Sequence, residues 1–322
     1  LRYEYQMADN AYMRNGTGYY RYSSLDDFLN GAAPEIVNLT YGYNGEKNPA
    51  ARVRFSQASI YAQDEWSVRE NFKLTYGVRF DGLFFNNKDV VTNNAILKLN
   101  YYPKAKDFKE THIDTGKWPG AQLAISPRVG FNWDVFNNKS LKVRGGTGLF
   151  SGRLPLVFFT NMPTNSGSVQ YQAQINAKNA AKKGFTMAEF AGGLVTDANG
   201  KVTTNALYQK LLGLGYPANY KPEDGTVPSS ISAVDNKFKM PQVWKTSLAV
   251  DYAIPTSFPF SVSVEGIFNK TINGVMISDW SMKDVRAYAK FNGVDNRPIY
   301  PDSFRNGTSA FVLENTNKGY GY

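Results

Sequence analysis

Cysteine is absent from the 322 residues, so neither a disulfide nor a thiolate metal site holds this chain together. Histidine occurs once, at His112, which leaves no histidine triad and no His-rich metal centre. Carboxylates are scattered, and no constellation of catalytic, metal-binding or cofactor-binding residues stands out, so no enzyme is expected. Long apolar runs are missing too. The longest, Leu154 to Phe159, is far below the ~18 residues a spanning helix needs, and mean hydropathy is −0.41. A helical membrane protein is thereby excluded.

What the chain has instead is alternation. Phe72, Leu74, Tyr76, Val78 and Phe80 fall on one face of a run whose other face carries Lys73, Thr75, Gly77, Arg79 and Asp81. Period two with an apolar face predicts a strand, and a length of about 10 residues suits a tilted strand crossing a bilayer. With the preceding ASIYAQDEWSV this run forms a hairpin turning near Asn71. The device recurs. Val129, Phe131, Trp133 and Val135 alternate with Arg128, Gly130, Asn132 and Asp134; Asn137-Asn138-Lys139 supplies turn chemistry, and SLKVRGGTGLF returns with Leu141, Val143 and Leu149 set against Lys142, Arg144 and the glycines. A third hairpin places Leu248, Val250, Tyr252 and Ile254 beside Phe260, Val262, Val264 and Phe268, with its turn near Ser257.

Turns within hairpins are short, whereas the connections between them run to tens of residues. Compact soluble domains seldom carry structureless loops beyond about 15 residues, but outer-membrane barrels pair short periplasmic turns with long extracellular loops. The expected architecture is therefore all-β: a partial antiparallel transmembrane barrel of about seven spanning strands, with long loops containing short helices at about 9–57, 82–125, 151–243 and 271–322. An aromatic content of 15% suits interfacial girdles. The net charge of +9 fits either a solvated surface or attraction to lipopolysaccharide, and nothing points to nucleic acid. The chain begins at Leu1 without a signal peptide and stops at Tyr322 without a closing strand, so 1–322 is expected to be an internal part of one larger barrel.

Several segments carry a family resemblance. QDEW at 63–66, LTYGVRFD at 74–81, SPRVGF at 126–131 and KVRGGTGLFSGR at 142–153 resemble the barrel of TonB-dependent outer-membrane receptors. SSLDDFLNG at 23–31, FKMPQVWKTSLAVDY at 238–252 and GIFNKTINGV at 266–275 resemble its Oar-like subfamily, related to SusC-type importers. The resemblance implies a barrel of about 22 strands with a plugged lumen, energised from the inner membrane through TonB, which would import a bulky nutrient such as a peptide or glycan. A surface lipoprotein capping the mouth belongs to the same reading. The plug and terminal strands would lie elsewhere. The alternatives are a non-transporting barrel serving as an assembly partner and a soluble β-rich adhesin.

Site candidates follow from parity. Arg79, Asp81, Arg128, Asp134, Lys142, Arg144, Arg153 and Glu265 are expected to line the lumen or its mouth. A turn at Asn138 sets Asp134 opposite Lys142 and Asn132 opposite Arg144, and Asp81 is expected to pair with Arg128 near the outer rim. Asp64 shares the parity of Trp66 and Val68 toward lipid, where a carboxylate is costly; either a bulge shifts the register or Asp64 lies above the hydrocarbon. In the longest loop, Phe158, Phe159, Asn161 and Asn165 are candidate ligand contacts, the rival being that Phe158, Phe159 and Leu211 pack as the loop's own small core. TMAEFAGGLV and NALYQKLLGLG are expected to form short amphipathic helices, and Asp26-Asp27 to begin another after Ser24. GGTGLFSG lacks the Lys-Ser/Thr of a phosphate loop, and Pro155 follows where a helix should start. The Asn-x-Ser/Thr sequons, Asn38 and Asn306 among them, are close to chance in so Asn-rich a chain.

Overall fold

The computed structural model describes residues 1–103, 106–219, 221, 223, 227–282, 294, 297 and 308–315. Strand β1 (Arg2–Asn10) leads into a loop carrying β2 (Tyr19–Arg21), helix α1 (Leu25–Leu29) and β3 (Ile36–Gly42). The chain returns as β4 (Ala51–Arg69), reverses over Glu70 and Asn71, and continues as β5 (Phe72–Phe85). Helix α2 (Asn94–Leu97) occupies the next loop, before β6 (Gln122–Asp134) and β7 (Leu141–Ser151) form a second hairpin. The longest loop holds α3 (Val157–Thr164), β8 (Gln170–Ile175), α4 (Ala177–Lys182), α5 (Thr204–Gly213) and β9 (Ser230–Val234). A third hairpin, β10 (Gln242–Ile254) and β11 (Phe260–Asn273), precedes β12 (Val275–Asp279) and β13 (Ser309–Asn315).

Seven of these strands form one antiparallel wall in the order β1-β4-β5-β6-β7-β10-β11. No described helix is long and apolar enough to cross a membrane. The hairpins have the sequence-expected faces: Ile60 lies beside Phe80, Leu74 beside Phe131, and Val143 beside Val250. The glycines, however, divide between the faces, since Gly145 lies beside Phe131 and Leu248 on the apolar side. Turn chemistry closes the β6–β7 hairpin. Asn137 and Lys139 adopt φ of +57° and +63°, the left-handed region where Asn is tolerated, and the Lys139 amide donates to Asp134 Oδ2 at 2.8 Å.

The loops are shorter than the sequence pattern suggests. β4 begins at Ala51, β5 runs on to Phe85, and β6 starts at Gln122. The physical reason is that these upper rungs keep pairing beyond the bilayer-length segment while other loops cover them: Val53, Phe55 and Leu83 are buried against Phe159 and Phe238. Of the 271–322 loop, β12 and β13 are described; Asn306 lies outside the described residues.

The loops fold into a cap with its own sheets, β2-β3-β8 and β12-β13-β9. The first is assembled from two loops far apart in sequence, with Leu39 opposite Ala173. Three apolar clusters hold the cap, around Leu39 and Leu211, around Phe55 and Phe159, and around Ile96 and Ile231. Capping fixes the helices: the Asp27 amide donates to Ser24 Oγ at 3.0 Å and the Ala206 amide to Thr203 Oγ1 at 3.0 Å, each cap being worth ~1 kcal/mol. NALYQKLLGLG supplies α5 with Leu207 and Leu211 buried, whereas TMAEFAGGLV makes only a single 3-10 turn at Met187–Phe190.

Candidate functional site

Two surfaces are open to a ligand: the inner face of the wall and the cap above it. On the inner face, β4 and β5 place Gln57 and Ser59 beside Leu83 and Asp81. Asp81 is 3% exposed and accepts from Gln57 Nε2 at 2.7 Å, Ser59 Oγ at 2.6 Å and Arg79 Nη2 at 2.8 Å. A buried carboxylate needs such donors, because leaving it unpaired would carry the full desolvation penalty. Beside it, Glu4 accepts from Arg2 at 2.5 Å and from Arg153 at 2.8 Å. These residues line a cavity of about 220 Å³ that Arg128 also borders.

The expected Asp81–Arg128 pair does not form. Arg128 stands opposite Gly77, four residues along β5 from Asp81, whose own cross-strand neighbour is Ala124, a displacement of about 13 Å along the strand. The expectation failed because it ended β5 at Asp81, whereas the strand runs to Phe85. Asp81 is instead satisfied within its own hairpin.

The second hairpin has the expected register, with Asp134 opposite Lys142 and Asn132 opposite Arg144. Contacts go elsewhere. Asp134 caps its turn through the Lys139 amide, and Arg144 reaches across β10 to Asp251 at 3.0 Å and Glu265 at 3.8 Å. Glu265 thus lies on the inner face beside Arg144. Asp64 remains in continuous register opposite Tyr76, whose hydroxyl donates to it at 2.9 Å. The bulge falls between Ser67 and Arg69, so it does not turn Asp64 inward. Asp64 sits two residues from Trp66, toward the Glu70–Asn71 turn end of its strand.

The loop candidates separate. Phe159 is fully buried, its ring 4.8 Å from Phe85 and 5.9 Å from Phe238, so it anchors α3 to the wall and offers nothing to a ligand. Asn165 spends its amide inside the cap, donating to Ser232 Oγ at 3.2 Å and accepting from Gln172 at 3.3 Å. Phe158 and Asn161 are exposed. Phe159 and Leu211 belong to different clusters, so the loop has no single core of its own; it shares one with the wall and one with β3. His112 is exposed, its Nδ1 3.0 Å from the Leu99 carbonyl oxygen, and the described residues contain no cluster able to hold a metal.

Cap groups outside the wall carry perturbed acidities. Burial pushes the Tyr216 hydroxyl up to about 12. Glu314 is fully buried on β13, with one oxygen accepting from the Ser278 hydroxyl. Burial raises its pKa above the ordinary glutamate value, against the lowering effect of the Ser278 and Trp280 side chains.

Sequence reasoning missed Gln57, Ser59, Asp251 and Phe150. Asp251 had a signal: it alternates with Val250 and Tyr252 on a predicted strand. The β7–β10 pairing that brings it to Arg144 carried none.

A family described as "Outer membrane beta barrel domain" matches residues 2–303. Among solved structures, the copper transporter OprC is similar, with a TM-score of 0.34 and 10% identity over 87% of this chain and 31% of that one. This chain thus spans 31% of that protein's length. No curated protein matches the sequence.

Proposed function

Because the chain belongs to the outer membrane beta barrel domain family and resides in the outer membrane of a Gram-negative cell, we propose that it is the wall and outer cap of a TonB-dependent importer of a bulky nutrient such as a peptide or glycan. The observation that carries this reading is the wall itself. Its outer face exposes Ile60, Leu248 and Val264, as lipid requires, while its inner face is lined by charged and polar groups suited to a wet passage. The folded cap on the upper rungs supplies recognition surface on the outside, with Phe158 and Asn161 its candidate contacts.

The finer parts of the reading rest on the sequence resemblance. They are a closed barrel of about 22 strands, a plug within it, contact with the TonB complex through that plug, an Oar-like or SusC-related subfamily, and a surface lipoprotein over the cap. Lipopolysaccharide would meet the outward apolar band and its girdles.

The test compares uptake of labelled peptide and glycan mixtures by wild-type cells, by cells lacking the full-length protein, and by wild-type cells whose inner-membrane potential is dissipated. One solute class is expected to be lost in both of the latter. Unchanged uptake in cells lacking the protein would sink the import reading and leave a barrel that serves as an assembly partner.

A further inference from the structure

One rung of the inner wall differs from its neighbours. Across six strands it reads Gln63, Gly77, Arg128, Gly148, Lys245 and Asn269. Arg128 and Lys245 flank Gly148, two strand spacings or about 10 Å apart at the backbone. Gly148 keeps the space between them clear: a Cβ there would meet Arg128 Cγ at 3.0 Å and the Pro127 carbonyl oxygen at 2.9 Å. Phe150, two residues along β7 on the same face, lies under both cations, 4.6 Å from the Arg128 guanidinium and 5.8 Å from the Lys245 ammonium. The ring holds both heads over one hollow of about 590 Å³.

Most other cations of the inner wall are already paired. Arg2 and Arg153 share Glu4, Lys73 has Glu65, Arg79 has Asp81, and Arg144 has Asp251. Lys142 stands in register between Asp134 and Asp251. Among the described residues, neither Arg128 nor Lys245 has a carboxylate within ion-pair distance. Glu265 borders the same hollow but is drawn to Arg144 at 3.8 Å. Two cations converging on one hollow, with a planar fork on one of them, match an anionic oxygen group.

We propose that Arg128 and Lys245 form an anion-binding station on the inner wall, which takes a carboxylate or phosphate group of a solute moving along it. This inference rests on the import reading and narrows it to an acidic solute. Phe150 positions both cations, and Gly148 leaves room for the anion between them.

The test uses the full-length protein in detergent micelles and phenylglyoxal, which modifies accessible guanidinium groups, read residue by residue by mass spectrometry. Tripolyphosphate and tricarballylate serve as probes, one for each anion class. At twice its dissociation constant either probe is expected to slow Arg128 modification about threefold by mass action, leaving exposed Arg14 in the cap unchanged. In Lys245→Gln the protection is expected to vanish while Arg128 stays reactive. Three outcomes overturn the proposal: equal rates with and without both probes, full protection retained in Lys245→Gln, or an Arg128 that resists modification before any probe is added, which would mean that another part of the protein already occupies the station. Labelling involves no import step. An importer of uncharged solutes would therefore keep uptake and show no protection, whereas an anion-binding barrel that moves nothing would show protection without uptake.

Discussion

The wall and the cap solve opposite solvent problems with the same residue types. In the wall, Ile60, Trp66 and Val264 stand 58%, 56% and 67% exposed, while Asp81 is buried inward among hydrogen-bond donors. In the cap the order reverses, with Leu39, Ile231 and Phe159 fully buried and Lys182 and Glu189 outside. A wall strand bordered by lipid does not hide its apolar side chains from the medium, and its polar backbone is satisfied by its neighbours in the sheet. A cap bathed in water must bury apolar area, at roughly 25 cal/mol per Å². Where the two meet, Phe55 and Leu83 on the inner wall join Phe159 of α3, so the upper rungs obey the rule of the cap rather than that of the membrane.

The wall and the cap depend on each other most at their junction. Phe159→Ala is expected to cost about 3–5 kcal/mol of cap stability, seen as faster hydrogen exchange in α3 and β9 of the full-length protein; unchanged exchange there would mean that the cap does not depend on the shared core. A charge on the lipid face tests the wall. Leu248→Arg is expected to cost about 2–4 kcal/mol in urea titrations of the bilayer-reconstituted protein, while its inward neighbour Ser247→Arg costs little, and equal costs would refute the assignment of faces. Next comes the inner network: Asp81→Asn leaves Arg79 without its counter-charge and should lower wall stability by about 1–3 kcal/mol, and no change would show that the network only decorates a wet surface.

The smallest effect is expected inside the cap. Glu314 has a pKa raised by burial, so the folded cap favours the protonated form. The stability this contributes is fully present below the unfolded value near 4.5 and is lost as pH rises through the folded value. Glu314→Gln should flatten the pH dependence of cap protection on that side, and a profile identical to wild type would show that Glu314 is already ionised in the fold.

Much of the wall was legible because strand periodicity is local. The faces of β5, β6, β10 and β11, the turn at Asn138 and the Ser24 cap each depend on residues within a few positions of one another. The Asp134–Lys142 register followed from the turn chemistry between them. The first hairpin shows where that logic stops. A two-residue turn at Glu70-Asn71 alone would set Ile60 opposite Asp81; the bulge between Ser67 and Arg69 shifts the register by one and brings Ser59 there instead. No residue type in SVRE announces that bulge. The Asp81–Arg128 error had the same root, since a strand end set by packing against a distant loop leaves no mark where the strand stops.

The local residue pattern set the solvent of each face, because alternating apolar and polar side chains sort outward and inward whatever lies beyond. It also determined the number of wall strands and where they turn. Long-range folding settled that β7 meets β10 across the longest loop, that β3 and β8 from separate loops share a sheet, that Phe159 is an anchor and not a ligand contact, and that Arg128 and Lys245 face each other over Gly148. Each of these is a pairing between segments far apart in the chain, fixed by which partners bury or bond best once the chain has closed on itself, and no local pattern encodes that choice.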